Sequence, residues 1–377
     1  MPEETISTRR RGLVRGLLLL VLASVVLVPL SALADSAHDV KGLREKVETL
    51  EKRQSELYHT LEEKKGTGLM RKITERIAVG GLVEVEASVD SNDRDGDSSD
   101  VVLATVELGL DAAIHERVAA HVLFLWEEDT TDPIDLDEGT VEITPLRGLT
   151  ITGGKFYIPF GVFNSHFITD PQVLELAETN ESALMFTYAG GPFSVSAGVF
   201  NGGLDEAGSD DAAEDWFAGV TVVPVRGVEF GGYYTSDIGD SDVMTDVVLA
   251  TTTVAGTVGG AGGYLSATYG PWTLDAEYVS ATARFGAGVL DADSDGRGDR
   301  PRTFNVEVAF DVTRRVEVAA KLEGNRDFFT FPEAQYGVAA SYGLYRNVAL
   351  TVEYLHGEFS ADRTTRDLVT AQVAVAF

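Results

Sequence analysis

Residues 368–377 read L-V-T-A-Q-V-A-V-A-F. In an extended chain, successive side chains point to opposite faces. Phe377, Val375, Val373, Ala371 and Val369 therefore share one face, and Ala376, Ala374, Gln372, Thr370 and Leu368 share the other. The first face is bulky and apolar; the second is small and polar. A strand of this length, ending on an aromatic residue, predicts the closing strand of an outer-membrane β-barrel. The rest of the chain should then supply partners with the same alternation, joined alternately by short turns and long loops.

It does so from Arg76 onward. About sixteen segments of period two follow, each long enough to cross a bilayer as a tilted strand. Phe304, Val306, Val308, Phe310 and Val312 alternate with Asn305, Glu307, Ala309 and Asp311. Trp272, Leu274, Ala276 and Tyr278 alternate with Thr273, Asp275 and Glu277. Tight connections are expected at His115-Glu116, Arg147-Gly148, Gly190-Gly191, Arg226-Gly227, Gly270-Pro271, Thr313-Arg314 and Tyr345-Arg346, with longer loops between them. A sandwich would not alternate short and long connections. A water-soluble barrel would turn its apolar face inward, and about sixteen strands enclose a lumen too wide for side chains to fill. The apolar face should therefore meet lipid and the acidic face water. Trp126, Trp216 and Trp272 fall near strand ends, where interfacial girdles lie.

Ahead of this pattern, residues 1–34 read as a cleaved signal peptide. Arg9, Arg10, Arg11 and Arg15 precede an apolar run from Gly16 to Leu30 and an A-x-A site at Ala32–Ala34. An uncleaved membrane anchor is the alternative. Residues 35–65 place Val40, Leu43, Val47, Leu50, Leu57 and Leu61 at heptad a and d positions. This predicts a short periplasmic α-helical coiled coil and a homo-oligomer, against a single amphipathic helix on the barrel rim. Residues 66–76 are a linker and 77–377 the barrel.

The 377 residues include no Cys and carry a formal net charge of -30. That excludes disulfides and thiolate metal sites. It argues against nucleic acid as a partner and against anion conduction, and favours cations. The expected lumen acids include Glu107, Glu142, Glu229, Asp275, Glu277, Glu307, Asp311 and Glu353. The outer loops are acidic too, either solvated or bridged to lipopolysaccharide by divalent ions.

One strand breaks parity. Leu149 and Ile151 set an outward phase that would place Lys155 in lipid. A bulge at Gly153-Gly154 would turn Lys155 inward and Phe156 and Ile158 outward. The third long loop follows, and Lys155, Phe160, Phe163, His166 and Phe167 are candidates for a pore constriction that contacts solute. The alternative is a loop that caps the rim with its own small core. Asp291, Asp293 and Asp295 with Gly296, and Asp299 further on, match the first part of an EF-hand loop, but Arg302 stands where the bidentate Glu belongs. A weak calcium site and a flexible acidic loop are the two readings; no other cofactor is implied. No G-x-S-x-G, H-E-x-x-H or phosphate loop is present, so no enzyme is predicted.

The segment G-G-K-F-Y-I-P-F-G-V-F at 153–163, followed by T-D-P at 169–171, resembles the LbtU-type siderophore porins (the legiobactin receptor family). With the leader and coiled coil, the resemblance covers nearly the whole mature chain. It implies a Gram-negative outer-membrane porin that admits a ferric siderophore without the plug of TonB-dependent receptors. It assigns no siderophore contacts to particular residues. The K-F-x-x-P-F-G core also looks like phosphate-selective porins, but a lumen where Lys155 is nearly the only base disfavours phosphate. A general cation-selective diffusion porin and a structural or adhesive barrel are the competing readings. The terminal Phe377 is the expected signal for the barrel-assembly machinery.

Overall fold

The computed structural model describes residues 76–94, 96–128, 134–206, 215–249, 253–292, 294–359 and 363–377. The leader, the coiled coil and the linker up to residue 75 lie outside the described residues, as does Asp293. The strands are β1 (Ile77–Asn92), β2 (Ser98–His115), β3 (Val118–Trp126), β4 (Asp135–Leu146), β5 (Leu149–Tyr157), β6 (Asn180–Gly190), β7 (Phe193–Phe200), β8 (Asp205–Glu206), β9 (Asp215–Val225), β10 (Val228–Thr235), β11 (Thr253–Val254), β12 (Gly260–Tyr269), β13 (Trp272–Ala281), β14 (Arg302–Asp311), β15 (Val316–Arg326), β16 (Ala334–Tyr345), β17 (Val348–Phe359) and β18 (Thr364–Ala376). Sixteen of these close an antiparallel barrel, each pairing with its neighbours in chain order, while β8 and β11 form a small separate sheet. Among the described residues no helix is long and apolar enough to cross a membrane.

Closure is made by the terminal strand. β18 pairs with β17 on one side and β1 on the other, from Leu82 opposite Ala376 to Asn92 opposite Arg366. Phe377 extends the ladder, exchanging two 3.0 Å backbone hydrogen bonds with Gly81. Its ring lies over Gly81, where a side chain would sit 2.5 Å from the ring. Val373 and Val375 lie exposed on the outer surface, as their parity requires.

The two faces follow the alternation. Val79, Val195, Phe230, Leu322 and Val338 are exposed on the outside, while Asp275, Glu277, Glu307, Glu323 and Glu353 are buried inside. Trp216 and Trp272 are exposed on the outer face. Each stacks on a neighbour, Trp216 on Tyr234 at 4.9 Å and Trp272 on Phe310 at 4.6 Å. Seven tight turns join hairpins at one end of the barrel, the end that faces the periplasm in bacterial barrels.

The lumen is not simply water-filled. Loops from the other end fold inward and build an apolar cluster with residues from the strand ends: Phe156, Phe160, Leu176, Phe217, Ile238 and Phe328 are among its buried members. A sixteen-strand ring leaves room that side chains alone cannot fill, and here chain segments occupy it.

The bulge expected at Gly153-Gly154 is absent. Pairing runs unbroken from Gly139 opposite Lys155 to Ile143 opposite Ile151, and from Leu149 opposite Tyr188 to Tyr157 opposite Asn180. The irregularity falls instead between Ile143 and Leu146. Phase is therefore kept: Phe156 and Ile158 point inward into the apolar cluster, and Lys155 stays on the outer face with Ile151. Its ammonium reaches Leu136 O at 3.3 Å and lies 3.7 Å from Asp135. A long Lys stem at a strand's outer end can snorkel to polar partners, so no bulge is needed. Gly154 instead serves close approach: at φ 142° its α-carbon lies so near that a side chain would sit 2.0 Å from Gly139 O.

Candidate functional site

The third long loop, residues 158–179, leaves β5 and crosses the lumen. Its entry explains the P-F-G-V-F sequence. Ile158 N makes the last ladder bond, to Thr179 O at 3.0 Å. Pro159 has no N–H to continue it. Phe160 turns into the apolar cluster and packs edge-on against Tyr233, centroids 5.2 Å apart. Gly161 adopts φ 143° with the ring of Phe163 laid over it, where no side chain fits. Phe163 itself takes φ 55°, a left-handed conformation that needs outside support.

That support comes from the lumen acids. Between Val162 and Pro171 the backbone has no helix or strand partners, yet enclosed N–H groups need acceptors. Glu277 of β13 accepts from Val162 N (2.9 Å) and Phe163 N (2.7 Å). Glu307 of β14 accepts from Ser165 Oγ (2.9 Å) and His166 N (2.7 Å). Glu353 of β17 accepts from Ile168 N (2.7 Å), Thr169 N and the Thr169 hydroxyl. Glu323 of β15 accepts from Gln172 N (2.9 Å), which opens the short helix α1 (Gln172–Ala177). Val173, Leu176 and Ala177 of α1 are buried in the apolar cluster. Charged acceptors make hydrogen bonds roughly twice as strong as neutral ones, so four carboxylates hold the loop as posts hold a rail.

Two cations complete the mooring. His166 donates between Glu317 (Nδ1, 2.9 Å) and Asp275 (Nε2, 3.2 Å). Enclosure favours the neutral ring, but the two carboxylates outweigh it and push the imidazole up to about 10. Lys321, fully buried on β15, lies 3.4 Å from Glu307 and 3.8 Å from Glu323. It donates to Thr169 O at 3.2 Å and stands 4.7 Å over the ring of Phe167.

The predicted constriction residues thus separate. Phe160 is core, and Phe163 packs against the same cluster. Phe167 packs with Ala309, Ala319 and Ala339 of the wall. His166 is a mooring post, and Lys155 is on the other side of the wall. The predicted lumen acids separate as well. Asp275, Glu277, Glu307 and Glu353 are covered by the loop. Glu229 accepts from Tyr264 OH at 2.9 Å, and Asp311 lies opposite Glu317 near the turn end. Glu107 lies on β2, and Glu142 on β4 borders an open cavity. This cavity, of about 340 Å³, runs along β2–β6 and is bordered by Asp111, His121, Glu138, Glu142, Thr152 and Met185.

Asp170, in the T-D-P segment, is the loop's acid toward this side. Its carboxyl is held above the usual range first by enclosure within the barrel, which outweighs the opposing pull of Lys321, and then by Glu127, Glu353 and Glu84. Asp170 and Lys321 were not singled out in the sequence as site residues; the T-D-P triplet was the available signal for the former.

In the loop between β13 and β14, Asp291 accepts from Asp295 N (3.1 Å) and Gly296 N (2.9 Å), and Asp299 from Ala292 N (2.7 Å). Asp291 and Asp299 thus cap their own turn.

No family model matches the chain. UPF0422 proteins of Legionella pneumophila strains Lens and Paris are each 23% identical to it, over 322 and 324 residues, taking in 74% of this chain. The chain spans 58% of the length of these curated relatives. Among solved structures, the barrel is similar to the anion-selective porin of Comamonas acidovorans, with a TM-score of 0.59 and 10% identity over 80% of this chain and 99% of that one. It is also similar to Pseudomonas putida OprB, with a TM-score of 0.58 and 11% identity over 80% and 94%. Salmonella typhi OmpF in complex with daunomycin gives 0.57 and 8% over 80% and 97%. The chain has the fold of outer-membrane porins.

Proposed function

We propose that this chain is a passive outer-membrane porin whose solute path runs between the moored third loop and the facing wall of the barrel. The observation that carries this is the mooring itself: a loop that crosses the lumen and is held by Asp275, Glu277, Glu307, Glu323 and Glu353 narrows the channel, while a cavity of about 340 Å³ stays open along β2–β6. Solutes then pass Glu84, Glu86, Glu107, Glu142 and Asp170, an acidic lane that favours cations. No catalytic constellation is part of this reading. The barrel meets outer-membrane lipid and lipopolysaccharide, is inserted by the barrel-assembly machinery, and self-associates; one similar outer-membrane protein, OmpT of Vibrio cholerae, is described in a trimer form.

A ferric siderophore as the cargo is a second, narrower reading. It is favoured because residues 158–171, part of the stretch that carries the resemblance to LbtU-type porins, belong to the loop that crosses the lumen. Planar-bilayer recordings on the full-length barrel separate the two. A reversal potential on the cation side in a salt gradient supports the acidic lane. Concentration-dependent block by one ferric siderophore supports the narrower reading, and indifference to every chelate leaves the general porin. A barrel without current would overturn both.

A further inference from the structure

At the outer mouth, away from the constriction, three carboxylates meet. Asp215 opens β9, and Asp237 and Asp240 follow β10; they are 8%, 1% and 2% exposed. One oxygen of each has a donor. Asp215 Oδ1 accepts from Ser236 Oγ, Asp237 Oδ1 from Gly239 N and Asp240 Oδ1 from Leu204 N, each at 2.8 Å. The other oxygens of Asp237 and Asp240 are buried with no partner, and so is the hydroxyl of the adjoining Ser241. One oxygen from each of the three carboxylates lies within 4.8 Å of the others. The side-chain charges acting most strongly on Asp240 are Asp237, Asp215 and Glu181, all negative. Burial, aided by these like charges, pushes Asp237 up to about 7 and Asp240 up to about 8. Buried carboxylates in such company need protons or a counter-ion.

We propose that Asp215, Asp237 and Asp240 form a calcium site that ties the outer ends of β9 and β10 to the loop after β7. The donors are all oxygen, the set that hard cations take. Calcium–oxygen distances of about 2.3–2.6 Å let one ion reach oxygens up to about 4.6–5.2 Å apart, and the three carboxylates fall inside that reach. Magnesium demands a stricter octahedron and gives up its water reluctantly. Ser236, Gly239 and Leu204 already fix the carboxylates from behind, as outer partners do in metal sites. The three acids come from the start of β9 and the connection after β10, and the site is independent of what the pore conducts. It is also separate from the turn that Asp291 and Asp299 cap.

The test uses the full-length barrel folded in detergent and stripped with EGTA. Calorimetric titration with CaCl₂ should give one saturable site per chain, and thermal unfolding should shift upward with calcium. In the Asp237→Asn/Asp240→Asn variant the affinity should fall by more than about tenfold and the thermal shift should vanish. In EGTA that variant should melt no lower than the parent, because the amides remove the repulsion. Terbium on the parent protein, excited through the adjoining Trp216, should emit and be displaced by calcium; this measurement stands if the variant does not fold. Absence of saturable binding, retention of full affinity in the double variant with loss in Asp291→Asn, or an equal response to magnesium would overturn the proposal.

Discussion

Lys321 is a fully buried cation between Glu307 and Glu323, and it also holds a loop carbonyl. Removing one partner of a buried charge group leaves the others uncompensated, at a cost of about 3–5 kcal/mol. Lys321→Met should lower the unfolding midpoint of the folded barrel accordingly, read by urea titration of its intrinsic fluorescence. Channel noise should rise as well, since the same change releases Thr169. His166 carries a pH dependence whose sign is set by its raised value. Its folded form titrates at about 10, above the roughly 6.5 of a free imidazole. Its contribution is therefore complete below about pH 6.5 and is lost as pH rises through about 10. The loop at Asp275 and Glu317 should loosen over that window, seen as conductance fluctuations that grow between pH 8 and 11 in bilayers. His166→Gln should show the fluctuations already at neutral pH and little further change.

At the scale of elements, β18 and the third loop place opposite demands on their sequences. β18 needs only alternation, and its partners were readable from Leu368–Phe377. Closure adds one close approach, the ring of Phe377 over Gly81, which also lies 2.9 Å from Glu107 O at its missing β-carbon. Gly81→Val should reduce the folded, heat-modifiable band on gels, and deletion of Phe377 should reduce it before any change in the conductance of the barrels that do form. Normal amounts of folded barrel in both variants would count against closure by this contact. The third loop follows a different rule. P-F-G-V-F is legible as a break in a strand, because Pro159 removes a donor and Gly161 frees the backbone. That its amides would find Glu277, Glu307 and Glu353 was not legible, since each acid sits more than a hundred residues away and alternates into the lumen just as the unmoored acids do.

For the whole molecule, the acids divide into those that hold the loop and those that face the path. This division predicts different phenotypes for chemically identical changes. Neutralising Glu84, Glu86 and Asp170 to amides should move the reversal potential toward zero with little change in conductance. Glu277→Ala should enlarge and destabilise the conductance with a smaller effect on selectivity, because it frees Val162 and Phe163. Equal effects on selectivity from both sets would refute the division.

The sequence alone determined the architecture: sixteen alternating strands, seven tight turns, the outward apolar face and the closing strand. Period-two patterning and turn chemistry are local, so a linear reading captures them. It misjudged Lys155, where two adjacent glycines suggested a bulge; ladder register and a snorkelling side chain decided otherwise. Only the tertiary structure decided how the lumen is filled, which acids are covered, and that Asp215, Asp237 and Asp240 meet. These depend on pairings between distant segments inside a closed ring, where burial and unsatisfied hydrogen-bonding groups, rather than periodicity, select the partners.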